Sequence, residues 1–152
     1  MKLAVFSDTH SNIAGMLGAV RRVRPDVLVH LGDHIRDTAA LTREFPELPL
    51  HAVAGNCDFS ASEPDTITFA AGPITVFATH GHRYSDTDAL CYAAESAGAK
   101  LALYGHTHIA LWRDMCSLQL LNPGSAGKGI RPSFAVVEIS DTGAIVCRIM
   151  DI

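Results

Sequence analysis

Charged residues are scarce in this chain. They make up 18% of the 152 residues, whereas hydrophobic residues make up 48%. This balance excludes an intrinsically disordered chain and favours strands that are covered on both faces, as in the α/β class. A chain of this length can bury roughly 70% of its unfolded surface, so we predict a single domain over residues 1–152.

Positive charge is also in short supply. The 12 Lys and Arg residues are outnumbered by 16 Asp and Glu residues, which gives a net charge of −4. Such a chain has no long-range attraction for a polyanion or an anionic membrane. The sequence also lacks a basic stripe with interleaved aromatics. We therefore expect neither long nucleic acid nor a membrane as a partner, which disfavours a nuclease that acts on long DNA.

Paired cysteines and long apolar runs are missing. The four cysteines form no Cys-x-x-Cys pair, which excludes a zinc ribbon and a thioredoxin-type site. They are Cys57, Cys91, Cys116 and Cys147. No stretch approaches the roughly 18 apolar residues of a membrane span, and the first apolar run is too short for a signal peptide. We expect a cytoplasmic location and free thiols, the last three packed as small hydrophobes.

What the sequence does contain is a series of apolar, strand-like runs that end in polar clusters. Residues 27–31 form one such run, and Asp33 follows it. An isolated Asp after a strand is usually a turn or helix-capping residue. Four further clusters follow similar runs: Asp8-Thr9-His10, Gly55-Asn56-Cys57-Asp58, Thr79-His80-Gly81-His82 and Gly105-His106-Thr107-His108. Together the five indicate a ligand site at the carboxyl ends of neighbouring strands.

The patterns predict a parallel, helix-covered sheet followed by an antiparallel component. The first part should contain strands at 3–6, 27–31 and 51–54 and helices at 13–24 and 38–45, the second helix capped by Asp37 or Thr38. After Pro64 we expect a hairpin of strands 66–69 and 74–77 with its turn at 70–73. The remaining predicted elements are a helix at 84–97 and strands at 101–104, 109–112, 118–121, 134–139 and 144–149.

The mixture of Asp, Asn and His side chains favours transition metals over magnesium or calcium, which prefer oxygen ligands alone. Two ions roughly 3.5 to 4 Å apart need a ligand that can bridge them, and a carboxylate has two oxygens for this purpose. Asp33 is our candidate for that bridge.

The ordered clusters resemble the calcineurin-like metallophosphoesterases, especially the small prokaryotic branch typified by the YfcE phosphodiesterases. That branch shares the Gly55–Asp58 form and a stretch like Asn122-Pro123-Gly124-Ser125. The likeness runs from residue 7 to about residue 125. It implies a four-layer αββα sandwich, with two mixed sheets flanked by helices.

The resemblance also implies a binuclear site. One ion would be held by Asp8, His10 and His108, the other by Asn56, His80 and His106, with Asp33 shared. The ions would be divalent transition metals, manganese first, with iron, zinc, cobalt or nickel as alternatives. A hydroxide that bridges them would attack phosphorus in line. Asp33, Asn56 and His82 are therefore the residues we expect to be catalytic.

One position departs from the wider family. Cys57 stands where many members have a His that protonates the leaving group, and a thiol is less suited to that role. Aryl esters and nucleotide diesters, which need little protonation, should be favoured unless His82 or a metal-bound water supplies the proton. His82 could either contact the substrate or support a neighbouring ligand.

Other polar residues have more ordinary predicted roles. Asp58 should cap or orient the loop of Asn56, and His34 is most simply a partly exposed loop residue. His30 and His51, within or beside strands, should be packed and hydrogen-bonded.

These expectations describe a metal-dependent phosphoesterase, most simply a phosphodiesterase, that hydrolyses small or nucleotide-like esters. The alternative is a non-catalytic protein-binding scaffold of the same fold, like the phosphoesterase-like subunit of retromer. The intact set of ligand positions favours the enzyme. A homodimer is compatible with a small sandwich of this kind.

Overall fold

The computed structural model describes residues 1–115 and 117–152, so the predicted packing of Cys116 lies outside the described residues. The first half contains β1 (Lys2–Phe6), α1 (Ile13–Val23), β2 (Val27–His30), a 3₁₀ turn (Ile35–Asp37), α2 (Thr38–Glu44), β3 (Leu50–Ala52), β4 (Thr66–Ala71) and β5 (Ile74–Thr79). The second half contains α3 (Thr87–Ser96), β6 (Leu101–Leu103), β7 (Leu111–Met115), β8 (Leu118–Asn122), β9 (Ser133–Ile139) and β10 (Ile145–Asp151).

The strands form two five-stranded mixed sheets. The first has the order β10-β9-β1-β2-β3, in which β1, β2 and β3 are parallel and β9 and β10 are antiparallel. The second has the order β4-β5-β6-β8-β7, with antiparallel strands only at its two edges. Both sheets therefore present several parallel carboxyl ends at one edge.

The expectation of an antiparallel second component was wrong for its three central strands. Strands β5, β6 and β8 are parallel. The connection from β5 to β6 contains α3, and such a crossover returns the chain in the same direction. The last two strands pair with the first sheet instead, where β9 lies beside β1.

Successive side chains of β1 point to opposite faces of the first sheet, and the two faces pack against different layers. Leu3 and Val5 are fully buried in the core between the two sheets. Ala4 and Phe6, on the opposite face, pack in the cluster that also contains Met16 of α1. On the outer face of the other sheet, helix α3 packs through a third cluster of buried side chains. The predicted four-layer αββα sandwich is confirmed.

Several element boundaries differ from the predictions for local reasons. The hairpin turn is only Gly72-Pro73, because Ala70 and Ala71 remain in register with β5. Helix α3 begins later than residue 84, where the side chain of Asp86 accepts the backbone N–H of Ala89 at 2.9 Å. Strand β7 runs over 111–115 rather than 109–112.

Asp37 does not cap α2 through its side chain. Its carboxylate instead accepts hydrogen bonds from the hydroxyl of Thr9 and the backbone N–H of Ser11, each at 2.8 Å. This residue thus joins the 3₁₀ turn to the loop after β1.

Within the described ranges, none of the helices is both long enough and apolar enough to cross a bilayer.

Candidate metal centre

The seven predicted ligands come from five loops at one end of the sandwich. Asp8 and His10 follow β1, Asp33 follows β2, and Asn56 follows β3 in the first sheet. The loops after β5 and β6 of the second sheet carry the remaining three residues, His80, His106 and His108. The topology therefore brings positions up to 100 residues apart into contact, as the His108–Asp8 pair shows.

One group contains Asp8, His10 and His108. Nε2 of His108 lies 3.0 Å from Oδ1 of Asp8, and the ring centroids of the two histidines are 5.3 Å apart. One ligand atom from each residue falls within 4.8 Å of the other two. Such an arrangement can enclose one cation.

A second group contains Asp8, Asp33 and His80, whose ligand atoms also lie within 4.8 Å of one another. Nε2 of His80 is 3.0 Å from Oδ1 of Asn56 and 3.5 Å from Oδ1 of Asp33. His106 stands further out, with its ring centroid 5.2 Å from that of His80, while its backbone N–H donates to Asp8. The two groups adjoin because both contain Asp8.

The orientation of His80 is set by the backbone. Its Nδ1 lies 2.7 Å from the carbonyl oxygen of Leu31, and a carbonyl can only accept, so Nδ1 carries the proton. Nε2 is then left with its lone pair directed toward Asp33 and Asn56. A hydrogen bond of this type on the remote ring nitrogen is typical of histidine that binds metal.

The backbone around the site is unusual. Among the residues that the structure describes, left-handed φ angles occur at nine that are not glycine, and five of these are predicted ligands: Asp8, His10, Asp33, His106 and His108. Non-glycine residues in this region carry a cost of about 1–3 kcal/mol each and persist only where surrounding contacts hold them. No local sequence pattern had indicated this conformation.

Two glycines allow the carboxylates to approach the backbone. A Cβ on Gly55 would lie 2.2 Å from Oδ1 of Asp33. A Cβ on Gly105 would lie 3.0 Å from Oδ2 of Asp8 and closer still to Ser7. Any larger residue would displace the acidic side chains.

The protonation states suit a metal site. Burial raises the pKa of Asp33, but hydrogen bonds from Cys57, with the nearby His80 and His10, together hold that pKa below its ordinary value. Burial lowers the pKa of His10, and Lys128 lowers it further. Ionised carboxylate and neutral imidazole are the forms that bind metals.

An unpaired nitrogen gives independent support for a metal. Nε2 of His10 is buried and finds no hydrogen-bond partner among residues 1–115 and 117–152. A buried polar atom left in this state is costly, and a cation would satisfy it. The residues present therefore fit a divalent metal.

A model of the calcineurin-like phosphoesterase superfamily domain matches residues 1–142. This chain belongs to the calcineurin-like phosphoesterase superfamily. The probable metallophosphoesterase YsnB of Bacillus subtilis is 31% identical over 130 residues, which cover 82% of this chain and 75% of that protein.

Solved structures agree on the fold. Vps29 of Entamoeba histolytica, solved in complex with zinc, has a TM-score of 0.80, 22% identity and 99% coverage of each chain. The phosphoesterase YfcE of Escherichia coli has a TM-score of 0.70 and 20% identity, again with 99% of each chain covered.

Two side chains of this phosphoesterase border the predicted ligands. A hydrogen bond to Asp33 and burial raise the pKa of Cys57, so its thiol retains its proton. The ring of His82 lies 5.4 Å from that of His80 and 6.2 Å from that of His106. Burial and the neighbouring His80 and Arg83 lower the pKa of His82. The imidazole of His82 is thus predominantly neutral near pH 7.

Asp58 ties two loops of the phosphoesterase together. Its two carboxylate oxygens accept the backbone N–H groups of Gly55 at 2.8 Å and Ile35 at 2.9 Å. It therefore holds the Asn56 loop against the segment that follows Asp33, in keeping with the orienting role predicted for it.

The remaining histidines have distinct surroundings. His30 is fully buried and hydrogen-bonded to Gly32 and Thr9, whereas His51 stacks on Phe69 with ring centroids 3.9 Å apart. The ring of His34 lies 4.8 Å from that of His10.

Three residues without a predicted role in the site hold the loops that carry the ligands. The hydroxyl of Ser7 donates to Oδ2 of Asp8 at 2.5 Å, and that of Ser125 donates to the carbonyl of Asp8 at 2.8 Å. Asn122 donates to the carbonyl of Gly105 at 2.8 Å. The Asn-Pro-Gly-Ser stretch was the available signal for two of the three, because it ends strand β8 near the site.

Proposed function

We propose that this chain is a two-metal phosphodiesterase that hydrolyses small or nucleotide-like phosphate esters. The observation that carries the proposal is the pair of adjoining ligand groups, one around His108 and the other around His80, joined by Asp8. Asp33 would be the ligand shared by both ions, as the resemblance to the family implies; its carboxylate is ionised and lies beside His80, whereas Asp8 is the residue common to both groups in the structure.

The proposed ligand sets are Asp8, His10 and His108 for one ion, and Asn56, His80 and His106 for the other. When bound, two divalent ions lower the pKa of a water molecule and neutralise charge that develops on a phosphoryl group. Manganese is our first choice, with iron, zinc, cobalt or nickel as alternatives. The carboxylates of Asp8 and Asp33 cancel only two of the four positive charges, which leaves the site attractive to a phosphate anion.

The chain's own residues would position the ester. Asn56 would hold its amide oxygen toward the second ion, 3.0 Å from Nε2 of His80. His82, neutral and beside both His80 and His106, would contact the phosphoryl group or its leaving oxygen. The unpaired, buried Nδ1 of His82 is consistent with such a contact, since no described residue satisfies it.

The leaving group should be one that departs without a proton. Cys57 occupies the place of an acid, but the neighbouring carboxylate of Asp33 raises the pKa of its thiol. A thiol that holds its proton this firmly is a poor general acid at neutral pH. Aryl diesters meet this requirement better than alkyl esters, because a phenolate leaves more readily than an alkoxide.

The test is hydrolysis of bis-p-nitrophenyl phosphate and p-nitrophenyl phosphate by metal-stripped protein refilled with manganese. We expect metal-dependent turnover that favours the diester and is lost in Asp33→Asn and His80→Ala. Tyr92→Ala, an exposed residue on α3, serves as a control that should retain activity.

The alternative is a non-catalytic scaffold that binds a protein partner. The similarity of the fold to that of Vps29 is the reason to consider a scaffold. Absence of turnover with each of the five metals, despite two ions bound per chain, would reject the phosphodiesterase and favour the scaffold.

Our proposals also cover the domain organisation, the cellular location and the oligomeric state. We propose that residues 1–152 form a single phosphoesterase domain. The cytoplasmic location is consistent with the free thiols of Cys57, Cys91 and Cys147. The homodimer can be examined by light scattering of the purified chain.

A further inference from the structure

We propose that a cavity beside the metal centre, with Phe59 as one wall, binds the nucleobase of a nucleotide ester. This inference rests on the proposed function, since it names the substrate class of that same site. The cavity has a volume of about 650 Å³, within the range of pockets that hold small-molecule ligands.

The cavity lies between two segments that carry site residues. One wall is formed by residues 34–36, 38 and 39, shortly after Asp33, and the other by residues 57–63, directly after Asn56. A group bound here would therefore contact the two segments that follow Asp33 and Asn56, two of the predicted ligands.

The cavity reaches the metal centre through His34 and Cys57. The ring of His34 is 4.8 Å from that of His10, and the backbone N–H of Cys57 donates to Oδ1 of Asp33 at 2.8 Å. A phosphoryl group at the ions would consequently have one substituent at the mouth of this cavity.

Phe59 is the feature that selects an aromatic ligand. Its side chain is 90% exposed, although burial of such a ring is ordinarily favourable. It contributes little to the protein's own core, and its face is available for stacking. A base stacked on an aromatic ring gains about 1–3 kcal/mol, whichever base it is.

The other walls suit a heteroaromatic ring better than a plain hydrocarbon. Ile35 and Ala39 supply apolar surface, and Arg36 has a planar guanidinium that stacks on aromatic rings. Ser60 and Ser62 offer hydroxyls that can pair with the edges of a base. Mixed apolar walls and a few polar groups are typical of sites for small molecules.

The test measures binding, so that it does not depend on turnover. Titration calorimetry with the manganese-loaded full chain compares adenosine 5′-monophosphate with ribose 5-phosphate, which lacks only the base. We expect the nucleotide to bind about tenfold more tightly than the sugar phosphate. Phe59→Ala should reduce this ratio to near one, whereas Phe59→Tyr should preserve it.

Tyr92→Ala is the matched control, because Tyr92 is another exposed aromatic residue but lies on α3. It should keep the wild-type ratio. Equal affinities of the wild-type protein for both ligands, or a ratio unaffected by Phe59→Ala, would overturn the proposal, as would failure of the nucleotide to bind.

Hydrolysis of bis-p-nitrophenyl phosphate, measured on the same preparations, separates the two proposals. If the protein shows no turnover but prefers the nucleotide in a way that depends on Phe59, the nucleobase site would be supported and the phosphodiesterase activity rejected. Turnover without such a preference would reject the cavity alone.

Discussion

Acidification should destabilise the metal-stripped fold through His30. This residue is fully buried at the end of β2, and burial lowers its pKa from 6.5 to about 4. Asp58, Asp37 and Asp8 oppose the decrease, while His80 adds to it. The effect of burial on the pKa of His30 is therefore larger than the combined effect of the three carboxylates.

Hydrogen bonds explain why His30 stays neutral. Its Nδ1 accepts the backbone N–H of Gly32 at 3.2 Å, which leaves the proton on Nε2. Nε2 then donates to the hydroxyl of Thr9 at 3.2 Å, and that hydroxyl donates to Asp37 at 2.8 Å. A second proton on His30 would break the bond to Gly32.

The sign of the effect follows from the two pKa values. Between pH 6.5 and about 4 the unfolded state binds a proton that the folded state does not, so stability falls as the pH is lowered. Above pH 6.5 the contribution is fully present, and below about 4 its loss is complete. The difference between the pKa values corresponds to roughly 3 kcal/mol.

Urea unfolding followed by circular dichroism at pH 7.0 and pH 4.5 would measure this loss. The protein should be metal-stripped, because metal binding has its own pH dependence. His30→Gln retains an acceptor for Gly32 and a donor for Thr9 but cannot titrate, and it should lose less stability on acidification than the wild type by roughly 2 to 3 kcal/mol.

His51→Gln is the comparison variant: burial lowers the pKa of His51 too, but this residue is only partly buried, so its effect on the pH dependence should be smaller than that of His30→Gln. Identical pH dependence of the wild type and His30→Gln would refute the reasoning. A His30 pKa near 6.5, measured by NMR, would do so as well.

Two further predictions concern the loops that hold the site. Gly55→Ala should weaken manganese binding at least tenfold in calorimetry and cost about 1–3 kcal/mol of stability, because its Cβ would collide with Asp33. Gly18→Ala in α1, where a Cβ meets nothing within 4 Å, should be neutral or stabilising, and equal effects of the two changes would contradict the argument. Asp58→Ala removes the acceptor for two backbone N–H groups and should cost about 2–4 kcal/mol in urea unfolding; a loss below about 1 kcal/mol would show that Asp58 does not hold the loops.

Much of this protein could be predicted from local patterns. Each strand near the site has its apolar run, and each ligand follows such a run, so the order of Asp8, Asp33, Asn56 and His80 along the chain was evident. Motif order also indicated the family, which the match over residues 1–142 confirms. These features depend on residues that are close in sequence.

The tertiary structure decided how those pieces are joined. A sequence pattern shows that β8 and β9 are strands, but it does not say that β8 lies beside β6 and β9 beside β1. Pairing between distant strands depends on the complete set of contacts, because the same apolar face can pack against several alternatives.

The details of the site were decided in the same way. Asp37 looked like a helix cap and instead accepts hydrogen bonds from the loop after β1. The left-handed backbone at Asp8 and Asp33 is costly alone and is held by hydrogen bonds to partners elsewhere in the chain. By itself the sequence determined which side chains are available to a metal; only the folded chain, with its long-range hydrogen bonds, decided where their atoms lie.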